Sequence, residues 1–457
     1  MEQYGTLQAR HGEGFFAAVQ ELTARLAWTR EQIDLAQTTA LRAIVSTARE
    51  RSPWHGARLA DVDLDELTAD DVSDLPTMTK VDLMTNWDRI VTDPRLTLDA
   101  VNQHLESITT DAYLVDEYHA IASGGSSGQR GVFVWGWEPW LTAFVSTVRW
   151  SARYAMKHPE VMGQPVVVAL VAADAPTHMS SALPQTFATP GVAAHRMPVT
   201  QPMATTVAQL NAIQPTQLRG YASALAQLAR EQLAGRLQIA PFTIAPDGEP
   251  LLPEMREAME RAWGAPVGGY YGTSEACTTA ASCFMGAGMH LSDDLVLVEP
   301  VDAQGRPVAP GELSDKILLT NLYNPVLPLI RYEITDRVRL LREPCPCGCA
   351  FRRIDDVEGR LDHVFRYGDV VIHPHVFRSP LSREPAIVEY QVRQTERGAD
   401  IDLRIDAPID IDALAQDITH HLADAGLEGA RVKLQVVDAI ERTAAGKQRR
   451  FVPLSFA

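Results

Sequence analysis

Ten residues, ASGGSSGQRG from Ala122 to Gly131, contain four glycines, three serines and an arginine. Glycines free the backbone so that successive N–H groups can converge on an anion, and serine hydroxyls add donors. Ser123, Gly124, Gly125, Ser126, Ser127 and Gly128 would form such a cradle, with Arg130 adding positive charge. The Gly-Lys-Ser/Thr of a Walker loop is absent, and a Gly/Ser run is equally at home in a flexible connection. A second stretch, GGYYGTSEA (Gly268–Ala276), combines tyrosines able to stack on a base, a threonine able to bond a phosphate oxygen, and Glu275, able to hold Mg²⁺. The third, RYEITDRV (Arg331–Val338), places Asp336 after an apolar run. A carboxylate there suits the two hydroxyls of a ribose, though a lone aspartate is more commonly a turn residue.

These residues need a scaffold. PVVVALVAA (Pro165–Ala173) reads as a buried strand, and PWLTAFVSTVRWSARYAM (Pro139–Met156) as a helix opened by proline. EQIDLAQTTALRAIVSTARERS carries Ile33, Ala36, Ala40, Leu41, Ile44 and Ala48 at helical spacing. Helical patterns in MATTVAQLNAI, ASALAQLAREQLAG and LLPEMREAMERAWG alternate with the short apolar PFTIAP and with PVGGYYGTSEA. This alternation predicts an α/β architecture of helix-covered sheets, in which ligands bind at the carboxyl ends of strands. After about Asp362 the pattern changes: AIVEYQVRQ and ADIDLRIDA alternate as a hairpin, then a helix and the strand RVKLQVVDAI follow. The expected division is a large domain over 1–360 and a small α+β domain over 361–457.

Composition narrows the class. With 46% hydrophobic and 22% charged residues the chain reads as soluble and globular, and no apolar run approaches membrane-spanning length. Its 58 acids against 41 bases give a net charge of −17, which argues against nucleic-acid and anionic-membrane partners. The amino terminus lacks the pattern of a signal peptide. All five cysteines lie at or beyond Cys277, unlike a secreted disulfide scaffold, so a reducing cytoplasm is expected.

Two further stretches, EGRLDHV (Glu358–Val364) and ERTAAGKQRRF (Glu441–Phe451), complete an ordered series. The five together resemble the core motifs of the adenylate-forming superfamily of acyl-CoA synthetases, peptide-synthetase adenylation domains and luciferases. The segment ALRAIVSTARERSPWHGARLADVDLDELTADDVSDLPTMTKVDLMTN resembles the opening of its phenylacetate–CoA ligase family. The resemblance implies that residues 123–131 close over the β- and γ-phosphates of ATP. It implies that Tyr271 and Gly272 lie along the adenine, Thr273 meets the α-phosphate and Glu275 holds Mg²⁺. Asp336 would take the ribose hydroxyls, with Arg360 beside it. Asp362 would be the hinge of a mobile carboxyl-terminal domain, and Lys447 would reach the α-phosphate and carboxylate. Two departures stand out: Gln129-Arg130 where the family usually has a lysine, and RYGDVVIHP where it has an Arg-Gly-Val-Asn-like run lining the thiol tunnel.

The same family carries a Cys-x-Cys-Gly and, upstream, a Cys followed by Gly-Leu/Met-His. Here CPCGC and SCFMGAGMH correspond, which implies a structural Zn²⁺ on Cys283, His290, Cys345 and Cys347, with Cys349 left as an extra thiol. Buried free cysteines are the plain alternative. His178, Met179, Phe187, Ile244 and Tyr270, placed near strand ends, are the candidates for an acyl pocket.

The resemblance thus implies ATP-dependent activation of an aromatic or arylacetic acid to an acyl-adenylate, followed by transfer to the thiol of CoA. An amine, a carrier-protein thiol or another small nucleophile is the alternative acceptor. A nucleotide-binding zinc protein without catalysis is the reading from another class. Such families leave a homodimer open, and the acid itself is not legible.

Overall fold

The computed structural model describes residues 2–123, 130–158, 165–172, 176–187, 192–283, 288–355, 357, 365–368, 370–372, 374–384, 386–442 and 448–454. A hairpin of β1 (His119–Ala122) and β2 (Val132–Trp135) brackets the glycine-rich loop, and both strands are fully buried. The valine-rich run forms β3 (Val166–Ala172), followed by β4 (Val192–Pro198), β5 (Gln217–Tyr221) and β6 (Thr243–Asp247). These four make one parallel sheet in the order β4-β3-β5-β6. Helices Ala222–Leu233 and Pro253–Trp263 cover one face, where Leu218, Leu225, Leu228, Ile244 and Met259 pack in a common core. The second of these helices opens on proline and stops at Gly264 in a left-handed conformation, the usual punctuation of a helix.

A second sheet is antiparallel: β7 (Tyr270–Thr273), β8 (Cys277–Ser282), β9 (Met289–Leu291) and the short Arg353–Ile354 strand pair in the order given. A third contains β10 (Val296–Val301), β11 (Lys316–Asn321) and β12 (Tyr332–Ile334). The helix Trp137–Lys157 buries Trp140, Phe144, Val145 and Trp150 between these layers. The helix Arg30–Arg51 is started by a reciprocal cap in which the Thr29 N–H donates to Gln32 Oε1 at 2.9 Å.

A separate core is built only from residues between Phe365 and Phe451. Its sheet joins the antiparallel hairpin Ile387–Thr395 and Gly398–Ile405 to parallel outer strands Arg431–Val436 and Phe451–Val452. Arg230 of the larger part ties to it, donating to the Ile387 carbonyl at 2.7 Å and lying 3.3 Å from Asp406. Among the described residues, no helix is long and apolar enough to cross a membrane.

Candidate active site

A cavity of about 850 Å³ opens between the parallel sheet, the helix Trp137–Lys157 and the first two helices, Glu2–Glu13 and Phe15–Ala24. Its floor is the sheet face opposite the helix-covered one: Val168 and Leu170 of β3, Ala194 of β4, and Gln217 and Arg219 of β5. Gly272, Thr273 and Ser274 enter from the end of β7. The amino-terminal helix forms part of the wall because Tyr4 Oη donates to buried Asp111 at 2.6 Å, which also accepts from Thr186 Oγ1 at 2.6 Å.

The turn after β7 is tightly positioned. The Ala276 N–H donates to Thr273 Oγ1 at 3.1 Å. Asn321 at the end of β11 donates to the Glu275 carbonyl at 2.9 Å, and Tyr323 Oη to that of Ala276 at 3.0 Å. Cys277 closes the turn with φ of +53°, a backbone conformation uncommon outside glycine. Tyr271 Oη donates to Asp336 Oδ2 at 2.8 Å, joining two motifs far apart in the chain. Asp336 is buried, and Glu275 is half-buried with its backbone held in place.

The glycine-rich loop is pinned at its base. Ser123 Oγ accepts from the Gly131 N–H at 2.8 Å, and Lys80 Nζ reaches the same hydroxyl at 3.5 Å. Arg130 is exposed. Gly124, Gly125, Ser126, Ser127, Gly128, Arg360, Asp362 and Lys447 lie outside the described residues. Just past Lys447, the Gln448 N–H donates to Glu249 Oε1 at 2.8 Å, and Glu249 Oε2 accepts from the Ser223 N–H at 2.9 Å. Glu249 follows Asp247 and Gly248, which line the cavity.

His178, Met179, Phe187 and Tyr270 line the cavity. Ile244 does not. It pairs in register with Leu218, and both side chains point into the core beneath the helices, leaving Ile244 fully buried. Strand alternation puts its neighbour Ala245, the partner of Arg219, on the opposite face. Several lining residues gave no signal in the sequence: Arg219, Arg196 and the aromatic wall of Tyr4, Phe15 and Phe16. Lys80, beside Ser123 and outside the cavity lining, did carry one, since it is the lysine of the LPTMTKVDL stretch.

Away from the cavity, one donor atom from each of Cys283, His290, Cys345 and Cys347 lies within 4.8 Å of the other three. Cys283 Sγ is 3.4 Å from Cys345 Sγ, and Cys347 Sγ is 3.4 Å from His290 Nε2. These spacings approach the edges of a tetrahedron with metal–ligand bonds of about 2.0–2.3 Å. His290 Nδ1 sits 3.0 Å from the Phe351 carbonyl, an orientation that leaves Nε2 for the cluster. Burial lowers the His290 pKa to about 4, so the imidazole is neutral, as a ligand must be. Gly288 has φ of +82°, and a side chain there would lie 2.5 Å from the Ile354 carbonyl oxygen. The approach to His290 therefore requires glycine. Cys349 is not one of the four: it is buried in a core with Leu26, Ile33, Trp150 and Phe351.

No family model matches the chain. It is 25% identical over 219 residues to a phenylacetate-coenzyme A ligase of Aromatoleum evansii, covering 45% of this chain and 49% of that one. The chain thus aligns with about half the length of that relative. Its structure is similar to 2-hydroxyisobutyryl-CoA ligase in the postadenylation state with a bound acyl-adenylate. The TM-score is 0.73 at 18% identity, covering 94% of this chain and 91% of that one. Against the same ligase with adenylate and CoA in the thioesterification state, the TM-score falls to 0.60 at 19% identity and the same coverage. The fold is that of the adenylate-forming CoA ligases.

Proposed function

We propose that this chain, with an adenylate-forming fold and a phenylacetate–CoA ligase among its relatives, activates a carboxylic acid with ATP and passes the acyl group to the thiol of CoA. The carrying observation is the Tyr271–Asp336 hydrogen bond of 2.8 Å beside the cavity into which Thr273 projects. It joins, in one place, the groups suited to a base, a ribose and a phosphate. The domains divide at 360/361, and the smaller one carries Lys447 and turns about Asp362.

In the adenylation step the acid's carboxylate attacks the α-phosphorus of ATP and pyrophosphate leaves. Anions are brought together, so the reaction needs fixed positive charge and donors. Thr273 orients the α-phosphate, Lys447 neutralises charge developing between phosphate and carboxylate, and Asp336 holds the ribose beside Tyr271, Gly272 and Arg360. Residues 123–131, with Lys80 at their base, hold the outer phosphates. Glu275, an oxygen ligand on a braced turn, fits Mg²⁺, which when bound supplies charge neutralisation at the phosphates. The drop in TM-score between the two states of the neighbouring ligase supports an arrangement of the two domains here like that of its postadenylation state. Docking of Gln448 on Glu249 agrees with that arrangement. The acid is aromatic or arylacetic in this reading, and the cavity's Phe15, Phe144 and Phe187 suit such a skeleton. The four-donor cluster holds a structural Zn²⁺ remote from the chemistry. The protein acts in the cytoplasm.

Pyrophosphate release is expected to require both an acid and Mg²⁺, with acyl-CoA appearing when CoA is added. Mass spectrometry of the products checks the acceptor. Absence of pyrophosphate across a broad panel of aryl and alkyl acids would sink the proposal. Acyl transfer only to amines would move it to the alternative acceptor that the altered Arg366–Pro374 stretch suggests.

A further inference from the structure

The chain is strongly acidic, yet the cavity is not. Among the described lining residues, Arg196 and Arg219 face one carboxylate, Asp247, with the imidazoles of His178 and His195 nearby. The two arginines stand in one row of the sheet: both Arg196 of β4 and Arg219 of β5 pair in register with Leu170 of β3. They therefore flank a leucine on the cavity floor. Arg196 is engaged, donating to Ser181 Oγ at 2.5 Å.

Arg219 is different. No carboxylate among the described residues lies within ion-pair distance of it, and its Nε is buried without a hydrogen-bond partner. Its guanidinium lies 5.2 Å from the centroid of the Tyr270 ring. A ring face attracts a cation but accepts no directed hydrogen bond from Nε, so the group stays under-satisfied. Its position is rigid: Gly220 has φ of +147°, and any side chain there would fall 2.1 Å from the Val171 carbonyl oxygen. The backbone of β5 is thus pressed against β3 just beyond Arg219.

Two neighbourhoods separate at β7. Tyr271 turns to Asp336, on the side suited to the nucleoside. Tyr270, the next residue along the strand, turns to Arg219 over a floor of Leu170, Val168 and Ala194. Arg219 accordingly lies at an apolar compartment, on a different sheet from the Ser123 hairpin.

We infer that the acid taken by this cavity is a dicarboxylic acid with an apolar skeleton, and that Arg219 receives its second, unreacting carboxylate. The inference rests on the acid-activating reading above and deepens it. The planar guanidinium fork matches a carboxylate in two parallel hydrogen bonds, which a lysine does not reproduce. Without that carboxylate, a monoacid of the same shape leaves the half-buried guanidinium, with its buried Nε, unpaired, the arrangement that gives large discrimination.

The test compares matched pairs on the full chain: the isomeric carboxyphenylacetic acids against the corresponding tolylacetic acids, and adipate against hexanoate. Wild type is expected to favour the best dicarboxylate by about 100-fold in kcat/KM for pyrophosphate release. In Arg219→Leu that ratio should collapse toward one, and Arg219→Lys should recover part of it. Calorimetric binding of the dicarboxylate to wild type and to Arg219→Leu reads the same contact without turnover. A wild-type preference for monoacids overturns the inference. So does an Arg219→Leu variant that loses both members of a pair equally, which assigns the arginine to the reacting carboxylate or to folding. A rise in KM for ATP with every acid assigns it to phosphate and overturns the inference too. If no acid releases pyrophosphate, the activity reading fails. The binding comparison still decides Arg219: equal affinity for both proteins overturns its role.

Discussion

Lys447→Ala is expected to slow acyl-adenylate formation by about 100- to 1,000-fold, because a positioned transition-state charge is worth roughly 3–4 kcal/mol in a site that excludes water. Transfer from preformed acyl-adenylate to CoA should proceed at close to the wild-type rate. The proposed division of labour accounts for this: the carboxyl-terminal domain would present the lysine in one orientation and turn away for the thiol step. Asp362→Pro should do the reverse, leaving adenylation nearly intact and impairing transfer, because proline fixes the backbone rotation a hinge must make. Pyrophosphate release measures the first step, and thioester formation from synthetic adenylate measures the second. Equal loss of both in Lys447→Ala would make the lysine structural and remove the two-orientation mechanism.

The second large effect concerns the four-donor cluster. Protein purified without chelator is expected to hold about one equivalent of zinc per chain, and Cys347→Ser to lose most of it. The melting temperature of that variant should fall by roughly 5 °C, since removing one ligand from a structural site costs several kcal/mol and each shifts a domain larger than about 250 residues by under about 2 °C. The cluster joins the Cys345–Cys349 turn to the ends of β8 and β9, so its loss unties the sheet that begins at Tyr270. Cys349→Ser should keep the zinc, because Cys349 is not among the four converging donors. Metal analysis by mass spectrometry with parallel melting curves decides it. Metal-free wild type, or an unchanged Cys347→Ser, would leave only neighbouring free thiols.

The amino-acid sequence by itself determined the order of the motifs, the alternation that makes an α/β fold, and the residue types at each candidate position. These are local properties. Glycine spacing and valine runs carry their meaning in a few neighbouring residues, and the four-donor set was legible through the resemblance of CPCGC and SCFMGAGMH to the family's pattern. Only the tertiary structure decided which face of the parallel sheet meets the cavity. β6 is short and apolar, and nothing in its pattern distinguishes Ile244, which goes under the helices, from Ala245, which goes to the cavity side. The same ambiguity hid Arg219, one residue from the core leucine Leu218. A strand alternates its side chains by geometry, but the assignment of inside and outside comes from the layers that pack on it, and here helices Ala222–Leu233 and Pro253–Trp263 cover one face while the cavity opens on the other. The Tyr271–Asp336 contact and the amino-terminal helix in the cavity wall have the same origin: partners remote in sequence are brought together by sheet order and packing, which no local pattern encodes.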